Sequence, residues 1–158
     1  MTEMAELAER LQADLKDAMR AGDVPRREVL RFLRSEIHNV EIERGHPLSD
    51  DEIIDVISRQ IKQRRDAIEQ FRAGGRDDLA DSEAAQVAIL QTYLPPQLSY
   101  DELLDMARAI VRETGASGPR DMGKVVPRLR EQVGARAEGS AIAQAAREVL
   151  AGGSESVQ

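Results

Sequence analysis

Apolar residues recur along this chain at helical spacing almost from end to end. Between Met4 and Met19 they fall at Met4, Leu7, Ala8, Leu11, Leu15, Ala18 and Met19, the i, i+3, i+4, i+7 stripe of an amphipathic helix, which Gly22 ends. Asp23, two residues before Pro25, starts a second helix whose stripe runs through Val29, Leu30, Leu33, Ile37 and Val40 as far as Gly45-His46-Pro47. Ser49 and Glu52 have the spacing of a capping box, in which serine and glutamate bond each other's free backbone amides. The third helix carries Ile53, Ile54, Ile57, Ile61, Ile68 and Phe71 and stops at Gly74-Gly75. A fourth, from about Asp78, runs into Pro95-Pro96, where two prolines remove backbone donors and push the residue before them out of the α region.

Beyond this proline wall Ser99 and Glu102 form another capping box. Three shorter stripes follow: Leu103, Leu104, Ala107, Ile110 and Val111, then Met122, Val125, Val126, Leu129 and Val133, then Ile142, Ala145, Ala146, Val149 and Leu150. No segment alternates with the period of a strand. The pattern predicts an all-α protein. Residues 1–94 form an N-terminal antiparallel helical bundle, because turns of roughly 3 to 6 residues between long helices favour antiparallel neighbours. It is joined to a small C-terminal three-helix domain over residues 95–150, and residues 151–158, which lack a stripe, read as a disordered tail.

Composition narrows the function classes. With no cysteine there is neither a disulfide nor a thiolate metal site. The first residues are acidic where a signal peptide would be basic, and no apolar run approaches the ~20 residues of a membrane span, so a cytoplasmic protein without membrane contact is expected. Net charge is −7, most of it within residues 1–94. The balance reverses between Met106 and Arg136, where Arg108, Arg112, Arg120, Lys124, Arg128, Arg130 and Arg136 face only Glu113, Asp121 and Glu131. An acidic protein with such a patch can hold a polyanion locally.

Catalytic and cofactor signatures fail one by one. Gly118 to Lys124 has the spacing of a phosphate-binding glycine loop, but Val125 stands where a hydroxyl should hold magnesium, no strand precedes it, and Pro119 suits the first position of a helix. His38 and His46 lack the spacing of a metal-binding helix and read as surface residues; no metal or other cofactor is expected. No activated serine and no nucleophile elbow is present, so there is no catalytic constellation.

Two charged features remain. On the helix that follows Pro119, Arg120, Lys124 and Arg128 are spaced i, i+4, i+8 opposite the apolar sector, a row able to track phosphates. The phenylalanines Phe32 and Phe71 read as core or near-core, which leaves no stacking platform for single strands and favours folded RNA read by shape and backbone. Pro127, inside the same helix, deletes the bond to the Gly123 carbonyl and predicts a kink or break. The second feature is Arg64, between Ile61 and Ile68 in the apolar stripe, which requires a structural ion pair; Glu36, Glu41 and Glu83 all qualify as its partner.

With these residues in hand the chain resembles the GatB/YqeY family, the stand-alone YqeY-like proteins. The resemblance rests on L-R-F-L-R-S-E-I-H-N at Leu30 to Asn39, R-Q-I-K-Q-R-R-D-A-I-E-Q-F at Arg59 to Phe71 and G-R-D-D-L-A at Gly75 to Ala80. It continues with I-L-Q-T-Y-L-P-P-Q-L-S at Ile89 to Ser99 and D-M-G-K-V at Asp121 to Val125. A family G-R-A-D-G run stands here as Ala135 to Gly139, and Pro127 replaces a non-proline.

The family is similar to the C-terminal region of the B subunit of the glutamine-dependent tRNA amidotransferase, and a similar module is appended to some glutaminyl-tRNA synthetases. The resemblance therefore implies a bundle with a small tail domain and an accessory role in holding tRNA; the basic residues Arg120, Lys124, Arg128 and Arg136 are the phosphate contacts expected for that role. Its label of carbon–nitrogen ligase activity with glutamine as amide donor describes the company such a module keeps, since the catalytic subunits have no counterpart here. The alternative is a docking module for an amidotransferase or aminoacyl-tRNA synthetase. DNA is not an expected partner.

Overall fold

A computed structural model describes residues 5–152, and every regular element in that range is helical. The chain divides between Leu94 and Pro95 into two compact units, each with its own hydrophobic core.

The first unit contains α1 (Glu6–Ala21), α2 (Val24–Arg44), α3 (Asp50–Ala73) and α4 (Asp77–Gln91). The signals that begin and end these helices are chemical. Gly22 closes α1 at φ 68°, a left-handed conformation that costs glycine nothing. Asp23 then accepts the amide of Arg26 to cap α2, and the Ser49–Glu52 box caps α3 in both directions. α1 packs on α2 and α3 on α4, while α2 touches both α3 and α4. Leu11, Leu30, Leu33, Ile53, Ile57, Ile61 and Leu90 are almost completely buried between them. Burying each such side chain contributes roughly 1.5–3 kcal/mol, far more than any surface pair.

The periodicity places this core well, with differences at its margins. Met19, at the end of the first stripe, is half exposed, and Met4 lies outside the described residues. Phe32 is not a core residue: it is 51% exposed on α2, where its ring lies 5.6 Å from the Arg64 guanidinium. The buried aromatic is Tyr93. Gln60, on the apolar face of α3, is buried, and neither of its amide atoms has a hydrogen-bond partner among the described residues.

Before the prolines the backbone tightens. Thr92, Tyr93 and Leu94 donate to the carbonyls three residues back, at Ile89, Leu90 and Gln91. That turn carries Tyr93 into the bundle, where its hydroxyl donates to the Asp14 carboxylate of α1 at 2.5 Å. Asp14 also lies 3.6 Å from the guanidinium of Arg26 on α2. Arg10 covers the Tyr93 ring at 4.6 Å and donates to the Thr92 carbonyl.

The second unit contains α5 (Tyr100–Thr114), a 3-10 turn (Pro119–Asp121), α6 (Met122–Val133), another 3-10 turn (Gly134–Arg136) and α7 (Gly139–Gly152). The Ser99–Glu102 box starts α5, and Gly115 ends it at φ 71°. Leu103, Ala107, Ile110, Val125, Leu129, Ile142, Ala146 and Leu150 form its core. Ala151 and Gly152, expected in a tail, are the last residues of α7; residues 153–158 lie outside the described range.

Burial first, and the Asp14 carboxylate second, push the Tyr93 hydroxyl up to about 12. Because the folded value lies above the ordinary 10.0, the stability from neutral Tyr93 is fully present below pH 10 and is lost as pH rises through about 12. In a Tyr100→Phe background, phenolate absorbance of the folded protein should titrate near pH 12 and that of the urea-unfolded protein near 10. Equal midpoints would remove the assignment. Gln60→Met should raise stability in urea by about 1–2 kcal/mol, because an unpaired buried amide costs about that much.

Candidate nucleic-acid interface

The basic row is built on α6. Val125, Leu129 and Val133 are buried on one side of the helix, where it packs against α5 and α7, with Met122 and Val126 half-buried beside them. Lys124 and Arg128 therefore emerge on the exposed side. Arg120 is exposed as well, but it belongs to the 3-10 turn before the helix. A 3-10 turn has 3.0 residues rather than 3.6, so the strict i, i+4, i+8 alignment holds only for the two α-helical members.

The three cations differ in what they touch. Lys124 Nζ is 3.5 Å from Asp121 Oδ1. The Ser117 backbone amide donates to Asp121 at 2.8 Å and, with Lys124 as a lesser cause, holds the Asp121 carboxyl below its usual range. Arg120 and Arg128 have no ion-pair or hydrogen-bond partner among the described residues.

Arg136 is placed differently. It is half-buried, and its guanidinium turns back over the end of α6, donating to the carbonyls of Val133 at 3.2 Å and Gln132 at 2.8 Å. This satisfies two of the carbonyls that every helix leaves free at its C-terminus. The same loop is tied to the segment after the prolines: the Leu98 amide donates to the Arg136 carbonyl at 2.8 Å, and the Gln97 side chain to Ala135 at 2.9 Å.

Of the kink or break expected at Pro127, the break is not there, since α6 runs unbroken from Met122 to Val133 with Pro127 inside it. Gly123 and Pro127 are both exposed, so the carbonyl that loses its partner is left to water and the missing bond does not end the helix.

Of the three candidate partners, Glu83 is the one that meets Arg64, at 3.0 Å across α3 and α4. Gln86 accepts from the same guanidinium, and Phe32 lies against it. Glu41 is engaged elsewhere, accepting the Leu48 amide at 3.0 Å. The Arg64 side chain is only 14% exposed, so its charge is balanced and hydrogen-bonded within the bundle.

A further group of exposed nitrogen-bearing side chains, two of them guanidiniums, escapes a reading of net charge. Arg31, Arg34 and His38 share one face of α2, a set the i, i+3, i+7 spacing was able to reveal. The acidic total of the first 94 residues conceals it.

Residues 8–150 match the family described as Yqey-like protein. The chain belongs to that family. Its curated relatives include proteins named "Altered inheritance of mitochondria protein 41, mitochondrial" from three fungi. The one from Pyrenophora tritici-repentis is 33% identical over 130 residues, covering 81% of this chain and 71% of the relative. The one from Eremothecium gossypii is 37% identical over 106 residues, covering 65% and 58%. That of Lachancea thermotolerans is 40% identical over 85 residues, covering 53% and 46%. The chain thus spans about half the length of two of these three relatives. All three names correct the expectation of a cytoplasmic protein, because each relative is called mitochondrial.

Arg136 and Arg128 should separate in a stability measurement. Arg136→Ala removes a C-terminal cap and should lower unfolding free energy in urea by about 1 kcal/mol, whereas Arg128→Ala, exposed and unpartnered, should stay within about 0.5 kcal/mol of the parent. Equal losses would contradict the capping role.

Proposed function

We propose that this member of the Yqey-like family is an RNA-binding accessory module that holds tRNA through its sugar–phosphate backbone and has no catalytic centre of its own. The observation that carries the reading is the exposed side of α6 and the turn before it, where Arg120 and Arg128 stand unpartnered among the described residues and Lys124 meets only Asp121. A guanidinium with no internal carboxylate is available to a phosphate and matches its oxygens with two parallel donors. The resemblance to the C-terminal region of the tRNA amidotransferase B subunit supports tRNA as the RNA concerned and transamidation as its setting. Arg136 has a structural part in this reading, holding the end of the helix that displays Lys124 and Arg128.

Neutralising phosphates releases condensed counterions, so affinity carries a salt dependence that counts the phosphates held. Binding of bulk tRNA should weaken steeply between about 50 and 200 mM salt, and changing Arg120, Lys124 and Arg128 together to alanine should flatten the slope of log K against log salt by about 2. A triple variant with the parental slope would remove the assignment.

The docking reading draws on a different observation, the exposed apolar side chains Val24 and Ile42 at the two ends of α2. Capture of an amidotransferase subunit or an aminoacyl-tRNA synthetase that survives RNase, with no tRNA affinity in the purified protein, would favour it.

A further inference from the structure

The outer face of α2 is organised around one shallow trough. Arg31, Arg34, Ser35 and His38 line it, with Leu15 of α1 beneath, and its volume is about 430 Å³. At 100° per residue Arg31, Arg34 and His38 fall within a sector of about 60°, and Arg31 to His38 spans about 10 Å along the helix. All three side chains are exposed, and none has an ion-pair or hydrogen-bond partner among the described residues. Elsewhere in the same unit Arg10, Arg26, Arg44, Arg72 and Arg76 each lie within 4 Å of a carboxylate.

The acids near the trough do not answer these cations. Glu28 pairs with Arg27 at 3.1 Å, and Glu41 accepts the Leu48 amide. On α1 the residues on the same side as Leu15 are Ala8, Leu11, Gln12, Ala18 and Met19, none of them acidic. A unit that is acidic in total therefore keeps one strip with two guanidiniums, Arg31 and Arg34, free of carboxylates. Such a strip concentrates polyanions locally, whatever the net charge.

We infer that this trough is a second RNA contact, in which Arg31 and Arg34 bind phosphates of the sugar–phosphate backbone and His38 extends the strip. This rests on the RNA-binding reading above but uses a separate surface, on the unit that ends at Leu94. The trough is open, which suits an extended chain rather than a small metabolite held in a pocket. Its lining holds no Phe, Tyr or Trp and a single imidazole, His38, so no run of bases can be stacked and the phosphate contacts dominate. An acidic polypeptide would need a desolvated apolar anchor in such an interface, and Leu15, 7% exposed, offers almost none.

The test uses the full chain, fluorescein-labelled bulk tRNA and anisotropy titrations between about 50 and 200 mM salt. Arg31→Ala combined with Arg34→Ala should flatten the salt slope by about 1.5, a little under one increment for each phosphate no longer held. Arg31→Lys with Arg34→Lys should keep the parental slope, because a point charge still displaces counterions. Thermal melting should leave both double variants at the parental midpoint, since the side chains are exposed and unpartnered. A parental slope in the alanine pair, with flattening in the variant of Arg120, Lys124 and Arg128, would overturn the trough and leave the α6 reading standing. Absence of tRNA binding by the parent protein would overturn both. Displacement by polyglutamate as effective as by unlabelled tRNA, abolished in the alanine pair, would overturn the RNA assignment and give the trough to acidic protein instead.

Discussion

The carboxylate of Asp14 decides how the first unit closes. Three parts of the chain meet at it: α1, which carries it, the start of α2 through Arg26, and, 79 residues away, the turn after α4 through the Tyr93 hydroxyl. Hydrophobic burial supplies most of the stabilisation of the bundle, but burial is indifferent to small rotations of one helix against another. A buried hydroxyl and a carboxylate with two arginines beside it tolerate far less displacement, because an unpaired buried polar group costs about 1–3 kcal/mol. With Tyr93 held, the chain leaves the bundle in one place, immediately before two residues that cannot continue a helix.

The distribution of arginine partners divides the surface by role. In the first unit most arginines for which contacts are described lie beside carboxylates, Arg64 doing so deep between α3 and α4. Exposed pairs of this kind contribute little to stability, but they remove cations from competition for external anions. The arginines left without carboxylates are then the ones whose charge faces outward undiminished. On α2 two such residues, Arg31 and Arg34, share one helical face, and the helix rigidly sets the spacing between them; on α6 Arg128 stands one turn beyond Lys124. That arrangement, rather than total charge, makes binding of a polyanion compatible with a net charge of −7.

Membership of the Yqey-like family rests on most of the chain, residues 8–150, and therefore on both units. The family match concerns architecture and ancestry. The chemistry lies in individual side chains: hydrogen bonds at Arg136, an ion pair at Arg64 and solvent at Arg128 are three different fates for one residue type.

The sequence by itself determined the helices, their order and most of their buried faces. Those properties are local: a capping box needs residues three apart, a stripe needs 3.6-residue periodicity, and glycine or proline acts on its own backbone. It also showed that Arg64 needed a partner, since a cation in an apolar stripe is conspicuous in one dimension. What only the tertiary structure decided were choices among groups brought together from distant positions. Glu83 rather than Glu36 or Glu41 pairs with Arg64, Tyr93 rather than Phe32 is the buried aromatic, and Arg136 folds back on α6. Pro127 belongs with these, because whether an unpaired carbonyl breaks a helix depends on whether water reaches it, and exposure is a property of the folded chain.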